Sequence, residues 1–418
     1  MNSPWRWWRS IGSPQFVAAP MVDASGLAFR LLCREFGIAL AYTPMLNAKL
    51  MVSEPAYVKR HFDPHPSEGP LIAQLAGHDP KLMAEAARLC ADQCSAIDIN
   101  LGCPQDIASR GRYGAFLLEE EPETALQIVQ ALRAATPLPV TAKMRLQPQQ
   151  SSAATSMVRV DLPATVDTAL RLQDAGVSAL CVHGRLRHQI RRQAGVGSAS
   201  WEAVREVASA LEIPVIANGG IARREDVDSC LGVTRAAAVM SAEALLENPA
   251  LFVSNRRLPA REDLDVQQQT ISSGGSIISS SSQEYLDQDI LAHRYLELAR
   301  LHPPPKGIQF VKDHLRRMLR AGWLQWPDLA DELHVANDHA SVGHVARRLK
   351  ERGWVQPAFH TECERPELSW YARHREAGPA RVGVSKSADD DDADWRRRYL
   401  GRRAAKRHSA ARRRLQRL

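Results

Sequence analysis

The chain has 418 residues, 44% of them apolar, and a formal charge of +7. That length can bury one large core with a smaller domain beside it, and no apolar run approaches the roughly 18 residues of a membrane span. Seven cysteines, at 33, 90, 94, 103, 181, 230 and 363, keep neither CxxC nor Cys/His ligand spacing, which argues against a zinc site and a secreted disulfide framework and for a reducing compartment.

The opening MNSPWRWWRS lacks the apolar stretch of a signal peptide. Between residues 16 and 246 a short apolar run, a loop and an amphipathic stretch repeat. The runs read as strands are FVAA (16–19), ALAY (39–42), LIAQL (71–75), AIDIN (96–100), PVTAKM (139–144), ALCVH (179–183), PVIAN (214–218) and AAAVM (236–240). Helix-like stretches lie between most of them, such as 79–93, 121–135 and 163–176, with apolar residues at i, i+3, i+4. Eight strands alternating with helices imply an α/β fold, a (β/α)8 TIM barrel occupying residues 1–255. A doubly wound open sheet is the alternative, but no GxGxxG follows the first strand to support a Rossmann site.

Residues 256–283 form a Ser/Gly-rich linker, which ends in QQQTISSGGSIISSSSQ (267–283). Stretches 284–302, 306–322 and 340–353 read as helices with basic faces, making a small helical domain over 284–355. Residues 356–418 have the composition of a disordered tail. Within it, ADDDDAD (388–394) precedes a stretch, 395–418, with eleven Arg or Lys and no acid, so residues 1–394 sum to −4 and the basicity lives at the end of the chain.

A barrel gathers its functional residues at the C-terminal ends of its strands. The sequence puts Pro20 and Met21 after the first strand, Gln74 at the end of the third and Asn100 to Cys103 after the fourth. Lys143 and Arg145 end the fifth, His183 the sixth and Asn218-Gly219-Gly220 the seventh, and Ser241 follows the eighth. In IANGGI (216–221) two glycines precede a helix near the last strands, the arrangement of a barrel phosphate site, and Ser241 with Ala242 repeats it. Read by itself, each tip has another explanation. Lys143 is a cofactor or substrate contact, a Schiff-base nucleophile or a solvated strand-end lysine; His183 is a core imidazole or a ligand; Gln74 is a strand cap or a site residue. Cys103 stands apart from the other cysteines, in a turn between Gly102 and Pro104 where a substrate can reach it, and a thiol near its ordinary pKa is mostly protonated at neutral pH, which suits a proton donor.

VAAPMVDASGLAFRLLCREFG, YTPML, IDINLGCPQ, RGRYGAFLLEE, VTAKMR, CVHGR, IANGGI and VMSAEALLENPALF together resemble the tRNA-dihydrouridine synthases. The likeness is greatest to the eukaryotic type acting on positions 16 and 17 of the D-loop, whose pre-barrel segment WRWWRS also resembles. It is dense over about residues 5–255 and continues through GIQFVKDHLRRML. The resemblance implies an FMN-containing barrel with a C-terminal helical domain that reduces the C5=C6 bond of uridine in tRNA with NADPH. By position, Pro20, Met21 and Gln74 would line the isoalloxazine and Lys143 would contact its pyrimidine edge. His183, Asn218, Gly219, Gly220, Ser241 and Ala242 would hold ribityl and phosphate, and Asn100 and Arg145 would orient the uracil. Flavin N5 would deliver hydride to C6 and Cys103 would give the proton to C5. The helical domain, with HLRRMLR (314–320), and the Arg-rich tail would grip tRNA phosphates. The expected state is a cytoplasmic monomer, with a nuclear pool through the tail, and no metal or membrane is implied.

The segments 147–162 and 185–200 depart from the family pattern, one longer and one more basic, and both flank the active face. Competing readings are a flavin barrel acting on a free pyrimidine, a Lys143 Schiff-base aldolase without flavin, and a tRNA-binding protein without turnover.

Overall fold

In the computed structural model residues 3–149, 159–189, 197–253, 287–354 and 371 are described. The eight expected strands are all present, with ends within two residues of the sequence pattern: β1 Phe16–Ala18, β2 Leu40–Tyr42, β3 Leu71–Ala76, β4 Ala96–Leu101, β5 Val140–Arg145, β6 Ala179–His183, β7 Val215–Asn218 and β8 Ala238–Ser241. Each pairs in parallel with its neighbour, β2 joins β3 through Tyr42 and Ile72, and β8 returns to β1 through Met240 and Val17. The sheet is therefore a closed eight-stranded (β/α)8 barrel, with a two-residue strand, Leu46–Asn47, added against the end of β3. The strands read as near-continuous apolar runs because their outward side chains lie under helices while the inward ones fill the barrel.

The period of two along each strand sorts the side chains. Ile97 and Ile99 of β4 and Ala142 and Met144 of β5 join the large core under the helices. The intervening residues face inward, and the register sets them in rows: Gln74 beside Asp98, Asp98 beside Thr141, Asn100 beside Lys143, and Arg145 beside His183. The lower interior is apolar and is closed by the helix Pro4–Ser10. Its Trp7 and Trp8 meet edge to face at 5.8 Å and bury themselves with Val17, Leu40, Ile72, Ala96, Ala179 and Ala238. Trp7 Nε1 donates to Ser95 O at 3.2 Å and Trp5 Nε1 to Glu212 O at 2.6 Å, both just before strands, so the WRWWRS segment is a floor on the N-terminal face of the barrel.

The helices between strands begin where the sequence supplies caps. Asp79 accepts from Lys81 N and Leu82 N to start Pro80–Cys90, Asp161 accepts from Ala164 N to start Leu162–Ala175, and Ser200 accepts from Ala203 N to start Trp201–Ala210. Beyond the barrel, Gln288–Leu301, Ile308–Met318 and His339–Arg352 match the expected helices, while the expected 306–322 stretch breaks at Leu319 and resumes as Arg320–Gln325. A helix at Pro327–Val335 was not evident from the sequence.

This helical segment docks on the barrel helix Leu27–Glu35. The Arg294 guanidinium pairs with Glu35 at 2.8 Å, and the His314 ring lies between Phe29 at 4.7 Å and Tyr295 at 4.6 Å. Several cations of the expected basic faces pair with acids: Arg294 also meets Glu297, Arg316 meets Asp313, Arg348 meets Glu332 and Arg352 meets Asp328. The expected linker at 256–283 lies outside the described residues, as do 150–158 and 190–196 within the two atypical segments and all of the tail at 356–418 except Tyr371. Among the described residues no helix is long and apolar enough to cross a membrane, and no cluster of three or more His, Cys, Asp or Glu is placed to hold a metal.

Candidate active site

The inward rows end at the C-terminal mouth of the barrel, and the sequence-derived residues meet there. The deepest polar group is one the sequence reading passed over. Asp98, fully buried on β4, accepts from Thr141 Oγ1 at 2.6 Å and from Gln74 Nε2 at 2.9 Å. Burial pushes its carboxyl up to about 6, against the pull of Thr141, Gln74 and the Lys143 ammonium. Gln74 is equally buried; its backbone N–H donates to Thr43 Oγ1 at 3.0 Å, and its Oε1 accepts from Asn100 Nδ2 at 2.9 Å.

Asn100 carries this order into the turn that holds the cysteine. Its Oδ1 accepts from Gly102 N at 3.2 Å and from Cys103 N at 2.9 Å, an Asx turn that fixes the chain just past the strand tip. Arg145 Nε donates to Gly102 O at 2.9 Å and its Nη1 to Leu186 O at 3.1 Å, tying the same turn to the β6 loop. From the other side Ala115 N donates to Cys103 O at 3.1 Å. Gly114, at φ +71°, makes that approach possible, since a Cβ there would stand 2.6 Å from Cys103 O.

The Cys103 side chain is half-buried against Ala76, Ala108, Tyr113, Met45 and Phe116. Burial raises its thiol pKa, opposed by the Gln105 amide and by Arg145 and Lys143, so the group is protonated at neutral pH. Lys143 stands in the next row inward, its pKa lowered first by burial and then by Arg145. Among the described residues the Lys143 side chain makes no hydrogen bond, so it offers a cation to the mouth with its ammonium donors unspent.

On the adjoining wall, past β6, Arg185, which the sequence reading did not single out, is buried with Nη1 3.2 Å from His183 Nε2 and Nε donating to Gly197 O at 3.0 Å. Gly219 and Gly220, at φ +98° and +82°, turn the chain after β7. A Cβ on Gly219 would come within 2.7 Å of the His183 ring and one on Gly220 within 3.2 Å of Trp201 Nε1, so bare backbone lines this wall. Asn218 Nδ2 donates to Met240 O at 2.9 Å and Ser241 Oγ to Ile221 O at 3.1 Å, each bracing the loop tip. Ala242 caps the short helix Glu243–Glu247. Pro20 and Met21 are half-buried at the rim after β1, where Ser25 bonds both the N–H and the carbonyl of Met21. Ser25 O in turn accepts from the buried Arg30, which is held by Glu68 and Asp63.

All thirteen sequence-derived residues thus lie around one mouth, most at or just past a strand end and Gln74 and Lys143 two residues inside theirs. Asn100 and Arg145, expected to orient a uracil, also spend hydrogen bonds on the cysteine turn. Asp98 carried one signal, an acid interrupting an apolar strand in phase with Asn100.

Residues 17–295 match the family model described as Dihydrouridine synthase (Dus). The chain is 36% identical over 397 residues to a rat protein named tRNA-dihydrouridine(16/17) synthase [NAD(P)(+)]-like, covering 94% of this chain and 80% of that one. It is also 39% identical over 250 residues to the Schizosaccharomyces pombe tRNA-dihydrouridine(16/17) synthase [NAD(P)(+)], covering 59% of each, and 39% identical over 247 residues to the Saccharomyces cerevisiae protein of that name, covering 58% of this chain and 55% of that one. A match over this much of the barrel, joined to a site built from its strand ends, places the chain in the dihydrouridine synthase family of oxidoreductases.

Proposed function

We propose that this chain reduces the C5=C6 bond of a uridine at position 16 or 17 in the D-loop of tRNA, with a bound FMN, with NADPH as reductant and with Cys103 as the proton donor. The carrying observation is the Cys103 turn, pinned by Asn100 and Arg145 over a mouth that also presents Lys143. The names of the rat and yeast relatives support the substrate and the nicotinamide.

The mouth fits a flavin mononucleotide by its donor set. Lys143 brings an unspent cation to a buried row, which suits the edge where negative charge gathers in a reduced flavin. Bare backbone at Gly219 and Gly220, with His183 and Arg185 beside it, suits a phosphate that needs close N–H groups and positive charge. Asn218, Ser241 and Ala242 complete that wall, while Pro20, Met21 and Gln74 offer a rim for the ring system. When bound, FMN supplies the hydride for C6 and is recharged by NADPH.

This chain's own residues supply the rest. The Cys103 S–H bond breaks as a C–H bond forms at C5, and the thiolate left behind takes a proton from solvent before the next turnover. A raised thiol pKa keeps the acid loaded at neutral pH. Arg145 and the second Nδ2 hydrogen of Asn100 are the groups beside the thiol that can orient the uracil carbonyls. A uridine in a loop unstacks at lower cost than one in a duplex, which suits a mouth that takes the base alone. The helical segment and the Arg-rich tail are proposed to add phosphate contacts, and the enzyme is proposed to act as a monomer in the cytoplasm.

Unmodified tRNA incubated with NADPH and protein, followed by nucleoside mass spectrometry, tests the reading. Wild type is expected to form dihydrouridine, and Cys103→Ala to keep flavin and tRNA binding while losing activity by about 100-fold or more, the range of general acid catalysis. Equal activity of the two would remove Cys103 as the acid. No product from either, with a free pyrimidine reduced instead, would move the substrate class.

A further inference from the structure

We propose that Asp98 is a positioning residue that aims Cys103, acting at a distance through Gln74 and Asn100. This rests on the reading of Cys103 as the acid. The argument is one of hydrogen-bond direction. A carboxylate can only accept, so Asp98 obliges Gln74 to present its Nε2, 2.9 Å away, and Thr141 its hydroxyl, 2.6 Å away. With Nε2 spoken for, the Gln74 Oε1 must face the other way, where Asn100 Nδ2 donates to it at 2.9 Å. That choice turns Asn100 Oδ1 toward the turn, where it accepts from Gly102 N and Cys103 N at 3.2 and 2.9 Å.

An amide by itself can be flipped end for end at little cost, and two in series have four arrangements. The carboxylate at the foot of the chain can only accept and the Gly102 and Cys103 N–H groups at its head can only donate, so the two ends together select one arrangement, and removing the carboxylate frees Gln74 to reverse and withdraw its acceptor from Asn100. Reversing Gln74 would set its NH2 against the Asn100 NH2, and reversing Asn100 in response would set donors against the Gly102 and Cys103 N–H groups. The selector is well placed, because Asp98 and Gln74 are both buried to 1% exposure or less and water cannot substitute as an acceptor.

Two kinds of substitution separate aim from charge. Asp98→Ala removes the acceptor. Asp98→Asn removes the charge but keeps an acceptor for Gln74 while its own NH2 donates to the Thr141 hydroxyl, so direction survives. Asp98→Leu keeps the γ-branched shape with apolar atoms and replaces the Ala variant should that one fail to fold. The first readout needs no turnover: alkylation of Cys103 by iodoacetamide at fixed pH, followed by peptide mass spectrometry. Cys33, Cys90, Cys181 and Cys230 are buried and serve as internal references. The second readout is kcat and KM for tRNA.

With the aim lost, Asp98→Ala or Asp98→Leu is expected to alkylate at Cys103 about threefold faster or more, and kcat to fall about 10- to 100-fold with KM within about threefold. Asp98→Asn is expected to stay within about threefold of wild type in both readouts. Unchanged alkylation and kcat in the Ala or Leu variant overturn the proposal, and so does an Asn variant as impaired as they are, since charge would then be the cause. Wild type without dihydrouridine product would instead sink the reading of the reaction, while the alkylation pattern would still judge the coupling.

Discussion

Lys143 illustrates what a reactive barrel carries at the cost of stability. A half-buried ammonium with no side-chain hydrogen bond among the described residues gives up part of its hydration, and the nearby Asp98 carboxylate offsets only part of that loss. Lys143→Met keeps the unbranched stem and discards the charge, so the flavin-free protein is expected to melt no lower than wild type. The same variant is expected to retain less flavin, read as absorbance near the flavin band after gel filtration. A variant that melts lower and keeps its flavin would show the ammonium to be a structural group. Lys143 was legible in the sequence because a lysine ending an apolar strand is conspicuous. Asp98 was less so, although its phase with Asn100 put it on the same inner face. What no sequence pattern displays is the direction of a hydrogen bond: Asn100 and Arg145 were found, but that each holds the cysteine turn depends on where Gln74, Gly102 and Leu186 lie in space.

Strands were the most legible elements, since parallel strands covered on both sides are runs of apolar residues short enough to be told from helices. The helix Pro327–Val335 escaped because only Leu329 and Leu333 are buried on it, too few to show a period. The turn at Cys103 shows how one element is shaped by another. Its carbonyl takes the Ala115 N–H only because Gly114 adopts φ +71° with no Cβ in the way. Gly114→Ala is therefore expected to destabilise the protein by about 1–3 kcal/mol, the range for strained backbone. Activity should fall further than that loss of folded protein explains, because the displaced atom is the carbonyl of Cys103. Parallel chemical denaturation and turnover measurements check both parts, and a silent substitution would show that the turn tolerates a shift.

For the whole molecule, the docking of the helical segment on the barrel has a built-in acid limit. HLRRMLR reads in the sequence as a run of exposed cations, yet His314 is buried between Phe29 and Tyr295 with Nδ1 unpartnered. Burial first, and Arg317 next, lower its pKa from 6.5 to about 3. The folded state thus refuses a proton that the unfolded chain accepts, so the stability associated with this residue is complete above pH about 6.5 and is lost progressively as pH falls toward 3. His314→Phe keeps an aromatic ring in the stack and should flatten the melting temperature over that interval while leaving it equal or higher at pH 7.5. An acid response unchanged in the variant would assign the sensitivity to other groups. The sequence could not show this burial, since the rings that enclose His314 come from Phe29 near one end of the chain and Tyr295 far along it.

The tryptophan floor under the barrel has one more consequence. With Trp7 and Trp8 sealing the N-terminal face, the interior has a blind end there, and among the described residues the polar rows open toward the mouth where Cys103 lies. Under the proposed reaction a nicotinamide and a nucleobase would enter from that one side and take turns, and the protein between their visits would keep what the first one left, so the floor that completes the fold would also bear on the order of events.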